Sequence, residues 1–392
     1  MKIEKFFDEN TATFSYIVID ETTQKCAIID SIMDYDHYSG SVSYKSADAI
    51  IAYIKKNNLK NEWILETHIH ADHISAAYYL QDQVGGKTGI GKHISEVLKF
   101  WVGVFETQND TPLTGEQFDV LFDDGDSFKI GNLNVKVIHT PGHTPACICY
   151  LIEDSIFVGD TIFSPYVGTA RCDFPGGSAE LMYDSIQKIY ALPDNTTIYL
   201  CHDYPSSPSE LLYKISIREQ KLTNSMIKAT TTKEEFVEAR ETKDYGRDVP
   251  KLIIPSVQSN MRGGSLGKKS SDGVQFIKIP INILNKDIGD FKKITSKYYY
   301  TTNLPTNIAD IKNNGFNSII YFDNNINNNF VNLAKDNGLS IHIINIDSSL
   351  NLSTKNIEEF KHLYNNLNSK ILGVSQHNIL SLDAWRVLKG KK

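Results

Sequence analysis

Residues 67 to 73, "THIHADH", hold three histidines and an aspartate in seven positions, a density of nitrogen and oxygen donors suited to metal binding. On an extended segment His68 and His70, two apart, point the same way, while Asp72 and His73 come round as the chain turns into the next element. His143 in "HTPGHT", Asp160 in "FVGDT" and His202 in "LCHD" bring the set to seven donors, none of them a thiolate. Imidazoles and carboxylates offered from separate strand ends favour one or two catalytic metal ions with open positions over a closed structural site.

The elements that must position these donors follow from the pattern. "TFSYIVID" and "KCAIIDS" read as a hairpin, "SADAIIAYIKKNNLK" as a helix, and "NEWILE" as a short buried strand running into the histidine cluster. "HISAAYYLQDQVGG" reads as a helix stopped by paired glycines. From Asp123 consecutive hairpins follow ("DSFKI", "NVKVIHTPGH", "ACICYLIE", "IFVGDTIF"), then a helix, "SAELMYDSIQKIYAL", and a strand, "TTIYLCHDYP". Four strand ends carrying His or Asp are expected to converge on one edge of a layered α/β structure.

At 392 residues two domains are expected, and the texture changes near residue 285. Up to Asn285 there are 27 basic and 38 acidic residues; beyond it 13 and 9, and 19 of the last 107 residues are Asn. The boundaries are accordingly 1–285 and 286–392. Neither part carries a basic block with interleaved aromatics, so no nucleic-acid partner is expected. No run approaches the roughly 18 to 20 apolar residues of a membrane helix, and "MKIEKFFDEN" is no leader, so a cytoplasmic protein without a membrane partner is expected. Five cysteines, all within the first 201 residues and none in C-x-x-C spacing, argue against a disulfide framework. Cys172, Cys147, Cys149 and His139 are read as structural.

The order H-x-H-x-D-H, a distant His, a Gly-Asp and a final His-Asp resembles the metallo-β-lactamase superfamily, whose fold is an αβ/βα four-layer sandwich. Within it, "THIHADHISAAYYLQDQVGGKTGIG", "IHTPGHTPACICYLI", "FVGDTIFSPYVGTARCDFPGG", "LCHDYP" and "IIPSVQSNMRGG" look like the persulfide dioxygenases. That resemblance covers roughly residues 1 to 284 and implies one Fe(II) per chain on His68, His143 and Asp160. His70, Asp72, His73 and His202 would then form an outer shell or, in hydrolase relatives, a second metal site. It further implies oxidation of glutathione persulfide, or a similar small persulfide, by O2 to sulfite and thiol. Arg171 and Arg262 resemble the family's substrate-side arginines, and Tyr204 offers a hydroxyl.

Two other readings stand beside this one: a dinuclear zinc hydrolase of the hydroxyacylglutathione type and a catalytically silent metal-binding scaffold. Every donor for a zinc pair is present. "VGTARCDFPGG" departs from the hydrolase stretch, and no ligand position is lost, which favours the dioxygenase over both. The segment from about 290 to 388 resembles the small α/β phosphatase-like domain fused to β-lactamase-like proteins of bacteria. Aligning on Trp385 puts Ser375 at the catalytic Cys position and Leu380 at the Arg position, so a docking, dimerising or ligand-sensing role is expected, a homodimer being left open.

Overall fold

The computed structural model describes residues 1–204, 211–244, 247–281, 292–293, 297–301, 311–312, 315–322, 328–345, 352–367 and 370–375. The chain divides into two compact units, Met1–Pro280 and Ile281–Lys392. Asn285, Leu380 and Trp385 lie outside the described residues.

In the first unit two six-stranded sheets face each other. One runs in the order Lys2–Asp8, Thr13–Asp20, Lys25–Ile29, Lys60–Leu65, Lys87–Gly91, Val120–Phe122. The expected hairpin supplies its second and third strands, with Tyr16 opposite Ile29 and Asp20 opposite Lys25. Lys25–Ile29 then pairs in parallel with Lys60–Leu65, a connection that requires a crossover and has one in the helix Lys45–Lys56. The second sheet runs Ser127–Ile130, Leu133–His139, Ile148–Ile152, Ser155–Phe157, Thr197–Tyr199, Lys214–Ser216. Its hairpin between Ile152 and Ser155 closes over Glu153, which takes a left-handed φ of 54°.

Period-two alternation divides each strand between two cores. Phe14, Tyr16 and Val18 meet Val135, Val137, Tyr150 and Phe157 of the opposite sheet in the central layer. Ile17 and Ile19 face the other way, onto Ile50, Ile54 and Leu80 of the helices Lys45–Lys56 and Ala77–Val84. Cys149, Ile156 and Ile198 turn outward to Met182, Ile186 and Phe236 of the helices Ala179–Tyr190 and Lys233–Asp244. Helix, sheet, sheet, helix is the four-layer αβ/βα order expected from the sequence. Each such fully buried side chain contributes about 1.5–3 kcal/mol of transfer free energy. No helix among the described residues is long and apolar enough to cross a membrane.

At the histidine cluster a boundary differs from the sequence pattern. The helix after the histidine cluster begins at Ala77, because Ile74 and Ser75 pair with Met33 and Ile32 in a short antiparallel ladder. Ser75 Oγ then accepts the Ala77 N–H at 3.0 Å, satisfying one of the helix's first donors.

The second unit is built on a five-stranded sheet in the order Lys292–Lys293, Tyr298–Thr301, Lys370–Val374, Phe316–Phe322, Ser340–Ile344, of which the last four are parallel. Both faces are covered, one by Phe360 of the helix Thr354–Asn366, the other by Ala334 of the helix Asn328–Asp336. Ser375, which follows the strand Lys370–Val374, is buried.

The loop after Leu133–His139 is pressed against the helix Ala179–Tyr190. Gly142 takes a φ of 155°, its carbonyl accepts the Ser178 N–H at 2.8 Å, and an added Cβ would lie 2.5 Å from Met182 Cα. Gly142→Ala must therefore push the helix or the loop aside, and denaturant unfolding should show a loss of about 1–3 kcal/mol; unchanged stability would contradict this packing.

Candidate metal centre

The ends of four strands bring the donors together. Lys60–Leu65 delivers Glu66 to His73 and the segment after Leu133–His139 delivers His143. Asp160 follows Ser155–Phe157, and His202 follows Thr197–Tyr199. His68, His70, His73, His143, Asp160 and His202 are all buried, and Asp72 is partly exposed.

Ligand atoms of His68, His143 and Asp160 lie within 4.8 Å of one another. Asp160 Oδ2 stands 3.8 Å from His68 Nε2 and 3.7 Å from His143 Nε2. Its other oxygen, Oδ1, reaches His202 Nε2 at 3.2 Å, and His202 Nε2 also meets Asp72 Oδ2 at 3.3 Å. His70, Asp72 and His73 form a second group of the same compactness. Asp160 also groups with Cys201 and His202, so its carboxylate belongs to two neighbouring sets of donors.

Behind these donors stand residues that the sequence did not single out. Asp30, at the end of Lys25–Ile29, accepts the Thr67 N–H at 2.8 Å and the Thr67 hydroxyl at 2.9 Å; that hydroxyl lies 3.0 Å from His68 Nδ1. Asp30 Oδ1 and Glu66 Oε2 both face His70 Nε2, at 3.1 and 3.3 Å. Asn260 Nδ2 donates to the carbonyls of His70 and His73, each at 2.8 Å, and its Oδ1 accepts the Ser75 N–H at 2.7 Å. His143 Nδ1 donates to the Arg171 carbonyl at 2.7 Å, which fixes the tautomer and leaves Nε2 with its lone pair turned toward Asp160. The local signals were the acid before "THIHADH" and the amide in "VQSN", but a carboxylate or amide acting on backbone leaves no spacing to read.

Several of these buried atoms lack any hydrogen-bond partner among the described residues: His68 Nε2, His70 Nδ1 and His73 Nε2. Buried nitrogens without partners cost of order 1–3 kcal/mol each, and their convergence on carboxylates is what a divalent cation would relieve. Protonation favours the same use. Burial, then the neighbouring charge of His70, holds His68 and His73 below the usual imidazole range, keeping them neutral. Against burial, the imidazoles of His202 and His68 hold Asp160 below the usual carboxylate range. Against burial, Asp160 and Asp72 push His202 up to about 9, a proton that a bound metal would displace. The donor set fits one or two divalent cations.

The candidate substrate residues fall differently. Arg171 is engaged within the fold: Nε and Nη2 grip both oxygens of Asp173 at 2.6 and 2.7 Å, and Nη1 donates to the Asp248 carbonyl at 2.7 Å. This guanidinium ties loops together. Arg262 is buried and gives Nη1 to Asp110 at 3.0 Å, while Nε and Nη2 have no hydrogen-bond partner among the described residues. Tyr204 is half exposed, its ring parallel to that of His202 with centroids 6.0 Å apart. All five cysteines are buried and none is in a disulfide; burial pushes the thiols of Cys147 and Cys149 up to about 12 and 11. Cys172 is among the buried ones, and His139 Nε2 donates to the Pro145 carbonyl at 2.8 Å.

The metallo-beta-lactamase superfamily model matches residues 10–202, a span that contains all seven donors. Glyoxylase B2 of Dictyostelium discoideum is 49% identical over 287 residues, which cover 73% of this chain and 98% of that protein. The mitochondrial persulfide dioxygenase ETHE1 of Mus musculus is 26% identical over 265 residues, covering 67% of this chain and 88% of that one. The crystal structure of ETHE1 from Myxococcus xanthus superposes with a TM-score of 0.54 at 28% identity, covering 67% of this chain and 100% of that chain. With its donors inside the matched span and near-half identity across almost the whole of a relative, the chain belongs to the metallo-β-lactamase superfamily.

Proposed function

We propose that the protein is a non-haem iron persulfide dioxygenase, converting glutathione persulfide or a related small persulfide, O2 and water into sulfite and the free thiol. The observation that carries this reading is the grouping of two imidazoles and one carboxylate, His68, His143 and Asp160, whose ligand atoms lie within 4.8 Å of one another. These three residues would hold a ferrous ion, which would supply the chemistry that brings a substrate sulfur and dioxygen together. The likeness to the persulfide dioxygenase of mouse and to the Myxococcus structure supports it.

The chain's own groups would divide the remaining work. Asp30 and Thr67 orient His68, and the Arg171 carbonyl orients His143. His70 has its Nε2 committed to Asp30 and Glu66, and with Asp72, His73 and His202 it would tune the site from outside the triad. Arg262, with two nitrogens unpaired among the described residues, is the cation suited to a substrate carboxylate, and Tyr204 the hydroxyl; Arg171 is spent on Asp173. The unit from Ile281 onward contains no cysteine and so no thiolate for phosphoryl transfer, and we read it as a degenerate phosphatase-like domain for docking or ligand sensing.

A second reading, a dinuclear zinc hydrolase, is favoured by one specific feature. Asp160 presents one oxygen to His68 and His143 and the other to His202, as a carboxylate bridging two metals would. The 49% identity to Glyoxylase B2 points the same way.

Protein purified under nitrogen should carry close to one iron per chain and consume O2 on addition of glutathione persulfide. Stoichiometric zinc, rapid cleavage of S-lactoylglutathione and no oxygen uptake would instead establish the hydrolase. Asp160→Ala should empty the metal site and cut turnover by more than the roughly 10–100-fold typical of losing an outer-shell partner; retention of both metal and rate would overturn the ligand assignment.

A further inference from the structure

The tautomer of His143 is set by a carbonyl, and that carbonyl is itself held from the far side. Arg171 C=O and Cys172 N–H are the two ends of one peptide group, planar by resonance. The carbonyl accepts His143 Nδ1–H at 2.7 Å, and the N–H donates to Asp244 Oδ2 at 2.8 Å. Asp244 is buried and is gripped by the guanidinium of Arg240, with Nε to Oδ2 at 3.0 Å and Nη2 to Oδ1 at 2.5 Å. Arg240 is fully buried on the helix Lys233–Asp244 and spends Nη1 on the Thr169 carbonyl at 3.0 Å.

We infer that the Arg240–Asp244 pair is a positioning device for the metal centre, acting on His143 through the Arg171–Cys172 peptide. The inference rests on the reading of His143 as a metal ligand. Histidines that bind metals commonly donate their second N–H to a carboxylate, which fixes the ring and raises its basicity. Here the carboxylate is one peptide further away. Its negative charge draws on the Cys172 N–H, polarises the peptide and strengthens its carbonyl as an acceptor, because hydrogen bonds in series reinforce one another in a dry interior. The ring is also braced on its edge: Phe174 meets His143 at 5.2 Å between centroids, and the Arg171 guanidinium covers Phe174 at 4.9 Å. The helix Lys233–Asp244 thereby reaches the centre.

A buried ion pair can serve packing alone, and an apolar pair of similar volume packs as well or better. That separates the two roles. In the full-length protein, Arg240→Met with Asp244→Leu removes both charges together and deprives the Cys172 N–H of its acceptor. Release of the bound metal to a coloured chelator under nitrogen should then be about 10–100-fold faster, the range expected for outer-shell partners. Arg240→Met with Asp244→Asn, which restores an acceptor oxygen, should bring release back toward the wild-type rate. A folded Met/Leu variant that holds metal as tightly as wild type would overturn the inference, whatever its unfolding temperature. Should that variant not fold, Arg240→Gln with Asp244→Val, which keeps a donor for the Thr169 carbonyl and still removes the Asp244 oxygen from the Cys172 N–H, gives the same readout with the same two outcomes. His143→Ala is the control: if it leaves metal retention unchanged, the assignment of the ligand has failed, whereas loss there beside normal retention in the pair variants sinks the relay alone.

Discussion

The structure depends on keeping the charge of Asp160 buried. A carboxylate removed from water is expensive unless opposite charge and donors surround it, and here three imidazoles stand within 3.8 Å of its oxygens. Those imidazoles come from three separate strand ends, so the site exists only when both sheets are formed and facing. The layers are in this sense the means by which seven donors far apart in sequence are held at one edge.

The cost of that arrangement is met by a second tier of polar groups. Asp30 ties the hairpin to the histidine segment, Asn260 reaches back from a helix nearly two hundred residues away to hold two of its carbonyls, and Asp244 holds the peptide behind His143. Each bond sets the direction of a lone pair more than it adds stability, since an intramolecular hydrogen bond contributes only about 0.5–1.5 kcal/mol net. Among the described residues, the buried atoms without a hydrogen-bond partner include His68 Nε2 and Asp160 Oδ1, which belong to the group a cation would occupy.

Much of this was legible in the sequence. Period-two runs such as "TFSYIVID" gave strands with two buried faces, and the donors stood out because histidine and aspartate rarely crowd a strand end without chemistry. Asp30, Glu66 and Asn260 were not legible as site residues, since each acts through backbone or through contacts distant in sequence. Arg171 shows a limit of another kind: its motif position resembles a substrate cation, while the partner its guanidinium holds, Asp173 two residues on, is a contact that the motif does not display. The start of the helix at Ala77 was hidden for a similar reason, the Ile74–Ser75 ladder being a tertiary pairing with Ile32 and Met33.

On the proposed function the donors divide three and four, with His68, His143 and Asp160 alone taking the catalytic ion. Anomalous diffraction from crystals of the full-length protein, collected across the iron and zinc absorption edges, separates this from a shared pair of ions. One peak is expected, at the iron edge, beside His68 Nε2, His143 Nε2 and an Asp160 oxygen. Two peaks roughly 3.5–4 Å apart, with the second held by Asp72, His73 and His202, would overturn the division.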